Sequence, residues 1–215
     1  MGRSGLVQAG AAVLVLSLLA LAGPPLGVSP AWITLLVVLA LSTLSVDAAR
    51  FDGRGGHLLA EALPGGERRL RRIAVHESGH LLAAEHDNLP VQRVLVGSLA
   101  CLQAGVSSGG CTEFLPPESV RLPLEQLRRW SRVLQAGMVA EELIHGASEG
   151  GADDRALLGR LWGISGHDVA TAQREQRQAR REVRRLLSER RADLEQRADA
   201  LVHQAPRLGR PQPAP

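Results

Sequence analysis

The sequence predicts a mainly helical protein: an N-terminal two-helix transmembrane hairpin, then a helical domain with a small β patch. Three observations lead there. Residues 1–46 of the 215 hold a single charge, Arg3, so every acid and all but one of the basic residues come later. Four later segments repeat apolar residues at helical spacing. Only residues 91–114 alternate, weakly, around glycines at 97, 105, 109 and 110, as short strands do.

The hairpin consists of two apolar stretches, Leu6–Ala22 and Ala31–Val46, separated by Gly23-Pro24-Pro25-Leu26-Gly27-Val28-Ser29-Pro30. Adjacent prolines lack amide donors and clash with the preceding turn, so the first helix stops there. Ser29 and Pro30 suit the cap and first position of the second helix. Each stretch is slightly shorter than the ~20 residues a bilayer core needs, and uncharged flanks make up the length. The same residues also fit a secretory signal peptide: Arg3, an apolar run, then Ala20-Leu21-Ala22 as a cleavage site. In both cases Arg50, Arg54, Arg68, Arg69, Arg71 and Arg72 follow the second stretch, which places what comes after in the cytoplasm or stroma. Trp32 suits a membrane–water boundary.

Composition excludes several classes. An apolar fraction of 45% is too high for a disordered chain. Two cysteines, Cys101 and Cys111, do not make a disulfide scaffold and are expected as reduced thiols. No lysine occurs, so the P-loop of a Walker ATPase cannot be built from this sequence. The net charge of +3 is spread along the chain, and nucleic acid is not an expected partner.

Residues 47–66 read as a glycine-containing linker and 67–204 as one compact domain. Its first helix spans 67–87, with Leu70, Ile73, Ala74, Leu81 and Leu82 in phase, and ends at Asn88-Leu89-Pro90. Two or three short strands follow up to Phe114. A second helix covers 123–145, with Leu127, Trp130, Leu134, Met138 and Ile144 inward and Gly146 past its end. The loop 147–152 leads into a third helix at 153–164. From 167 to 204 the pattern is one long charged helix with Val169, Ala172, Ala179, Val183, Leu187, Leu194, Ala198 and Leu201 as its apolar stripe. The tail 205–215 is proline-rich and expected to be disordered.

The first helix contains His76-Glu77-Ser78-Gly79-His80. Residues four apart lie one above the other, so both imidazoles can reach one ion, and neutral histidine is a preferred zinc ligand. Glu77 points about 100° away from His76, near enough to take a proton from a water that zinc has acidified to a pKa of ~7. Apolar shoulders on both sides bury the motif, and buried imidazoles and carboxylates without partners are costly. A third protein ligand is required. The other histidines do not extend the pattern, whereas Glu149, Asp153 and Asp154 offer carboxylates.

With Gly137-Met138-Val139-Ala140-Glu141-Glu142-Leu143-Ile144-His145-Gly146 and Glu149-Gly150-Gly151-Ala152-Asp153-Asp154 following in order, the chain resembles the M41 peptidase domain of FtsH-type membrane proteases over about residues 70–204. That family shows His-Glu-Ala-Gly-His, Gly-Gly-Arg-x-Ala-Glu-Glu-Leu-x-x-Gly and Thr-Gly-Ala-x-Asn-Asp. The resemblance implies zinc held by His76, His80 and Asp154, with Glu77 as catalytic base and Asp153 as the nearest rival ligand. Glu141 and Glu142 suit partners of the ligating histidines, two ordinary acids of an amphipathic helix being an equally good reading of them. It implies a zinc endopeptidase acting on membrane or membrane-proximal proteins, multi-pass in the membrane, as a homo-oligomer or beside an FtsH-type AAA protease. The family's ATPase module has no room between residues 47 and 66, so a stand-alone peptidase form without its own ATPase is expected. The alternative is a proteolytically inactive assembly or adaptor protein working with a full-length FtsH-type partner. Ser78, Met138, Glu149 and Gly151 depart from the family pattern, and Ala136 stands where its first paired glycine would be.

Two further features have competing readings. Arg68, Arg69, Arg71 and Arg72 read as a solvated first turn, anionic lipid headgroups being the other partner they suit. The segment 106–114 is either a plain hairpin or an edge that receives extended substrate as an added strand.

Overall fold

The computed structural model describes residues 14, 17, 18, 20–51, 61, 65–106, 108–117, 119 and 121–207. The chain divides into two compact units at Gly56/His57, described separately here.

In the first unit the two prolines form a short 3-10 turn, Pro24–Leu26, closed by Gly27 at a φ of 80°. Helix α1 then runs Pro30–Phe51, five residues past the predicted end of the second apolar stretch. Its first amides bond to the Ser29 carbonyl. Among the described residues it is the one helix long and apolar enough to cross a bilayer, over Pro30–Asp47. Thr34 and Thr43 donate their hydroxyls back to Pro30 and Leu39 carbonyls, which satisfies both within the helix. Leu35, Leu39, Leu41 and Val46 are exposed. The first arm of the expected hairpin lies mostly outside the described residues; those of it that are described are helical.

The second unit is helical with one two-stranded antiparallel sheet. Helix α2 is Gly66–Asp87, capped by Asn88 in the left-handed region at a φ of 53°. Strand β1 is Val91–Val96 and β2 is Gly110–Phe114, with Leu95 opposite Cys111 and Val94 opposite Thr112. A bulge lies between Val91 and Arg93. Where the sequence suggested a further strand, the residues form a short helix, α3, Ser98–Gln103. Its first amide and the Ser98 hydroxyl are held by the Glu61 carboxylate, a partner 37 residues away that no local pattern reveals.

Helices α4, Leu124–His145, and α5, Ala152–Ser165, match the expected second and third helices within a residue or two. The long charged segment is two helices, α6, Val169–Glu189, and α7, Arg191–Gln204, broken at Arg190. The break folds α7 back so that Leu194 and Ala198 are fully buried in the core with Val75, Leu82, Val139, Val183 and Leu187. Val169, expected in the apolar stripe, is 72% exposed: it opens α6, where the preceding loop leaves nothing to cover it. The acids of α6 are not all solvated. Glu175 is buried and takes Arg128 Nε at 2.7 Å, while Glu182 shares Arg132 with Asp87. Of the expected disordered tail, Ala205 packs on the core and Arg207 pairs with Glu67, and the residues after Arg207 lie outside the described set.

A second cluster, Leu122, Leu127, Trp130, Leu134, Leu158, Trp162 and Ala172, seats α5 against α4. Trp162 Nε1 donates to Ser131 Oγ at 3.0 Å inside it.

The closest crossing is that of α2 on α4. A Cβ on Gly79 would sit 2.6 Å from the Ala136 carbonyl oxygen and 2.7 Å from Ala140 Cβ, and neither can move aside without bending a helix. Gly159 of α5, by contrast, faces open space. Gly79→Ala should therefore destabilise the full chain by ~1–3 kcal/mol through overpacking. Gly159→Ala should stabilise it by up to ~1 kcal/mol through helix propensity. Urea denaturation of the two variants beside wild type checks the opposite signs.

Candidate metal centre

Burial of one face of α2 reaches through the motif itself: His76, Glu77 and His80 are as inaccessible as the leucines around them. Each needs a partner, and each has one. His76 Nδ1 lies 2.6 Å from Glu141 Oε1, and His80 Nδ1 lies 2.8 Å from the Val133 carbonyl oxygen. Both partners accept, so the Nδ1 atoms carry hydrogens, and in the neutral, metal-binding form of each ring the lone pair sits on Nε2.

The two Nε2 atoms face Asp154, at 3.1 Å from His76 to Oδ2 and 3.5 Å from His80 to Oδ1. The ligand atoms of all three side chains lie within 4.8 Å of one another. Ligands ~2.0–2.1 Å from a tetrahedral ion stand roughly 3.3 Å apart, and the two histidine–aspartate distances lie close to that spacing. Helix α4 passes close by and presents a glycine to the two Nε2 atoms: a Cβ on Gly137 would fall 2.4 Å from His76 Nε2 and 2.6 Å from His80 Nε2. The space in front of both lone pairs is kept clear by that glycine. Two imidazole nitrogens and a carboxylate oxygen, with acceptors facing one another, fit a divalent cation.

Electrostatics agree with the geometry. Burial alone would lower the His76 imidazole, but its bonds to Asp154 and Glu141 and the nearby Glu77 charge outweigh burial and push it up to about 10. Burial would raise Asp154, yet the two histidines hold its carboxyl well below the usual carboxylate range. With no cation between them, His76 keeps a second proton facing Asp154, in the place on Nε2 that a divalent cation would take. Glu77 is pushed up, chiefly by burial, against the pull of His80 and His76. Its Oε2 accepts the Thr112 hydroxyl at 2.7 Å.

Asp154 reaches the site because Gly151, at a φ of 84°, turns the chain into α5 and starts the helix with its acids in the first turn. The helix N-terminus favours a negative charge there. The preceding loop is held by Glu141, which accepts the Glu149 amide at 2.9 Å and the Gly150 amide at 3.3 Å. Arg72 grips the same loop, donating to the Ala147 carbonyl at 3.2 Å and pairing with Glu149 at 3.0 Å and Glu141 at 3.6 Å.

Of the three candidate acids, Asp154 is brought to the histidines, Asp153 is exposed, and Glu149 is turned toward Arg72. Glu141 and Glu142, open in the sequence between partners of the histidines and ordinary helix acids, separate: Glu141 bonds His76, whereas Glu142 pairs with Arg180 and Arg184 of α6. Sequence reasoning missed Arg72 and Thr112. Arg72 precedes His76 by one helical turn and shares its face, a signal available in the spacing. Thr112 had no such signal. Cys101 and Cys111 form no disulfide; Cys101 is buried, and the Cys111 thiol is pushed up to about 12 mainly by burial.

No family model matches the chain. Part of it is similar to two curated proteins, each an ATP-dependent zinc metalloprotease FtsH. The protein from Methylococcus capsulatus is 40% identical over 86 residues, 39% of this chain and 13% of that protein. The protein from Hahella chejuensis is 35% identical over 105 residues, 44% of this chain and 16% of that protein. The chain thus matches less than a fifth of the length of either relative, and the similarity is a partial relationship to FtsH-type proteins.

Glu141→Gln places an amide hydrogen against a loop amide and weakens the grip on His76. It should lower zinc affinity about 10- to 100-fold, the usual effect of losing such a support. Glu142→Gln should leave it within a factor of about two, since that side chain faces α6. Competition of the purified full chain against a chromophoric chelator measures both.

Proposed function

We propose that the chain holds an FtsH-related zinc endopeptidase that cuts extended segments of membrane or membrane-proximal proteins. The observation that carries this reading is the convergence of His76 Nε2, His80 Nε2 and an Asp154 carboxylate around a space kept open by Gly137. His76, His80 and Asp154 would hold the ion. Bound there, zinc supplies a Lewis acid that activates water and polarises the scissile carbonyl. Glu77 takes the proton of the attacking water and returns it to the leaving amine. Glu141 and the Val133 carbonyl keep both rings in the tautomer that offers Nε2.

The apolar N-terminal region anchors the protein, as two spans with the peptidase part on the cytoplasmic or stromal side. Helix α1 and the arginines that follow it support this. Residues 52–65, between α1 and α2, are too few for an ATPase module. Substrates therefore reach the site already unfolded, by their own looseness or through an AAA partner.

Glu77→Gln should retain one zinc per chain and lose at least ~100-fold in cleavage of fluorescein-labelled casein by the detergent-solubilised full chain. Turnover near the wild-type rate in a zinc-loaded Glu77→Gln sample would remove Glu77 from this role.

A further inference from the structure

Strand β2 lies across the motif helix with one face. Gly110, Thr112 and Phe114 alternate onto that face, and each meets a different residue of α2. A Cβ on Gly110 would come within 2.3 Å of Ile73 Cγ2 and 2.7 Å of Glu77 Oε1. The Thr112 hydroxyl donates to Glu77 Oε2 at 2.7 Å. Phe114 stands edge-on to the His80 ring, 6.2 Å between centroids, and is itself backed by Trp130 at 5.5 Å. Residues 73, 77 and 80 form one row along the helix, so three consecutive outward positions of the strand read three consecutive positions of the motif face.

Among the described residues, Thr112 alone donates a hydrogen bond to the Glu77 carboxylate. A glutamate side chain has three rotatable bonds and, unheld, samples many positions. Here one oxygen is fixed by a donor on a strand whose own place is set by pairing of Thr112 with Val94. The β-branched threonine is stiff at χ1, which suits it to aim a hydroxyl. The glycine at 110 leaves Oε1 without a side chain pressed against it.

We propose that Thr112 is a positioning residue for Glu77: its hydroxyl anchors Oε2 and so presents Oε1 as the oxygen that exchanges a proton with water. Strand β2 is then part of the catalytic apparatus and more than a cover over it. The proposal rests on the reading of Glu77 as general base, and its test separates the two.

Thr112→Val keeps the shape and removes the donor, and Thr112→Ser keeps the donor. In the full chain, Thr112→Val should bind zinc as wild type does and lower kcat on labelled casein about 10- to 100-fold at unchanged KM, the cost of a misplaced catalytic group. Thr112→Ser should restore most of the rate. Independently of activity, Thr112→Val should lower the melting temperature of the metal-free chain, and that loss should vanish when Glu77 is already alanine, because the coupled partner is gone. Wild-type kcat in Thr112→Val, or equal melting losses with and without Glu77, would overturn the proposal. If the wild-type chain cleaves nothing, the peptidase reading fails by itself, and the melting comparison still decides whether the hydroxyl holds Glu77.

Discussion

Two helices cross at a point where only glycine and alanine fit. Gly79 of α2 rests on the Ala136 backbone and Ala140, and one helical position on, Gly137 faces the imidazoles of His76 and His80. Close approach of this kind buries the motif, and the ionisable groups on it, His76, Glu77 and His80, take their partners from the protein. It also brings α4 near enough for the Val133 carbonyl and the Glu141 carboxylate to take the two Nδ1 hydrogens. A bulkier residue at Gly137 would close the space in front of the lone pairs, and one at Gly79 would push the two helices apart. The chemistry of the site is in this sense a consequence of small residues in the helix that faces it.

The third member of the cluster, Asp154, stands on the helix seated by the other hydrophobic cluster. Trp162 and Leu158 seat α5 on α4, while Glu141 and Arg72 hold the loop that leads into it. Glu141 thus serves two ends at once. One oxygen meets His76, and the same carboxylate receives the amides just ahead of the helix that carries Asp154. The two histidines and the aspartate are therefore coupled through a single buried carboxylate as well as through any ion between them. Its charge is kept by those bonds, which hold Glu141 below its usual range against the opposing effect of burial.

Much of this was legible in the sequence, and the limits have physical reasons. Helix α2 declared itself through periodicity and a left-handed asparagine cap, and α4 through the same period and Gly146 at its end. Asp154 followed from the resemblance, and Asp153 next to it points elsewhere because neighbours on a helix diverge by about 100°. The same rotation separates Glu141 from Glu142; Glu141 lies one turn beyond Gly137, so the phase of α4 against α2 decides between them. That phase is a tertiary fact. The break at Arg190 has no proline or glycine to announce it and exists because folding α7 back buries Leu194 and Ala198. Helix α3 depends on Glu61, and the Thr112 bond on strand pairing, both contacts between residues far apart in the chain. Local pattern cannot carry such information.

The central claim is that one ion is shared by His76, His80 and Asp154. Its most direct measurement is the metal content, by plasma mass spectrometry, of the purified full chain and of Asp154→Ala and Asp153→Ala prepared alongside. The account predicts close to one zinc per chain in wild type and in Asp153→Ala, and a residual fraction in Asp154→Ala. Full zinc in Asp154→Ala, or loss of zinc in Asp153→Ala with Asp154 intact, would contradict it.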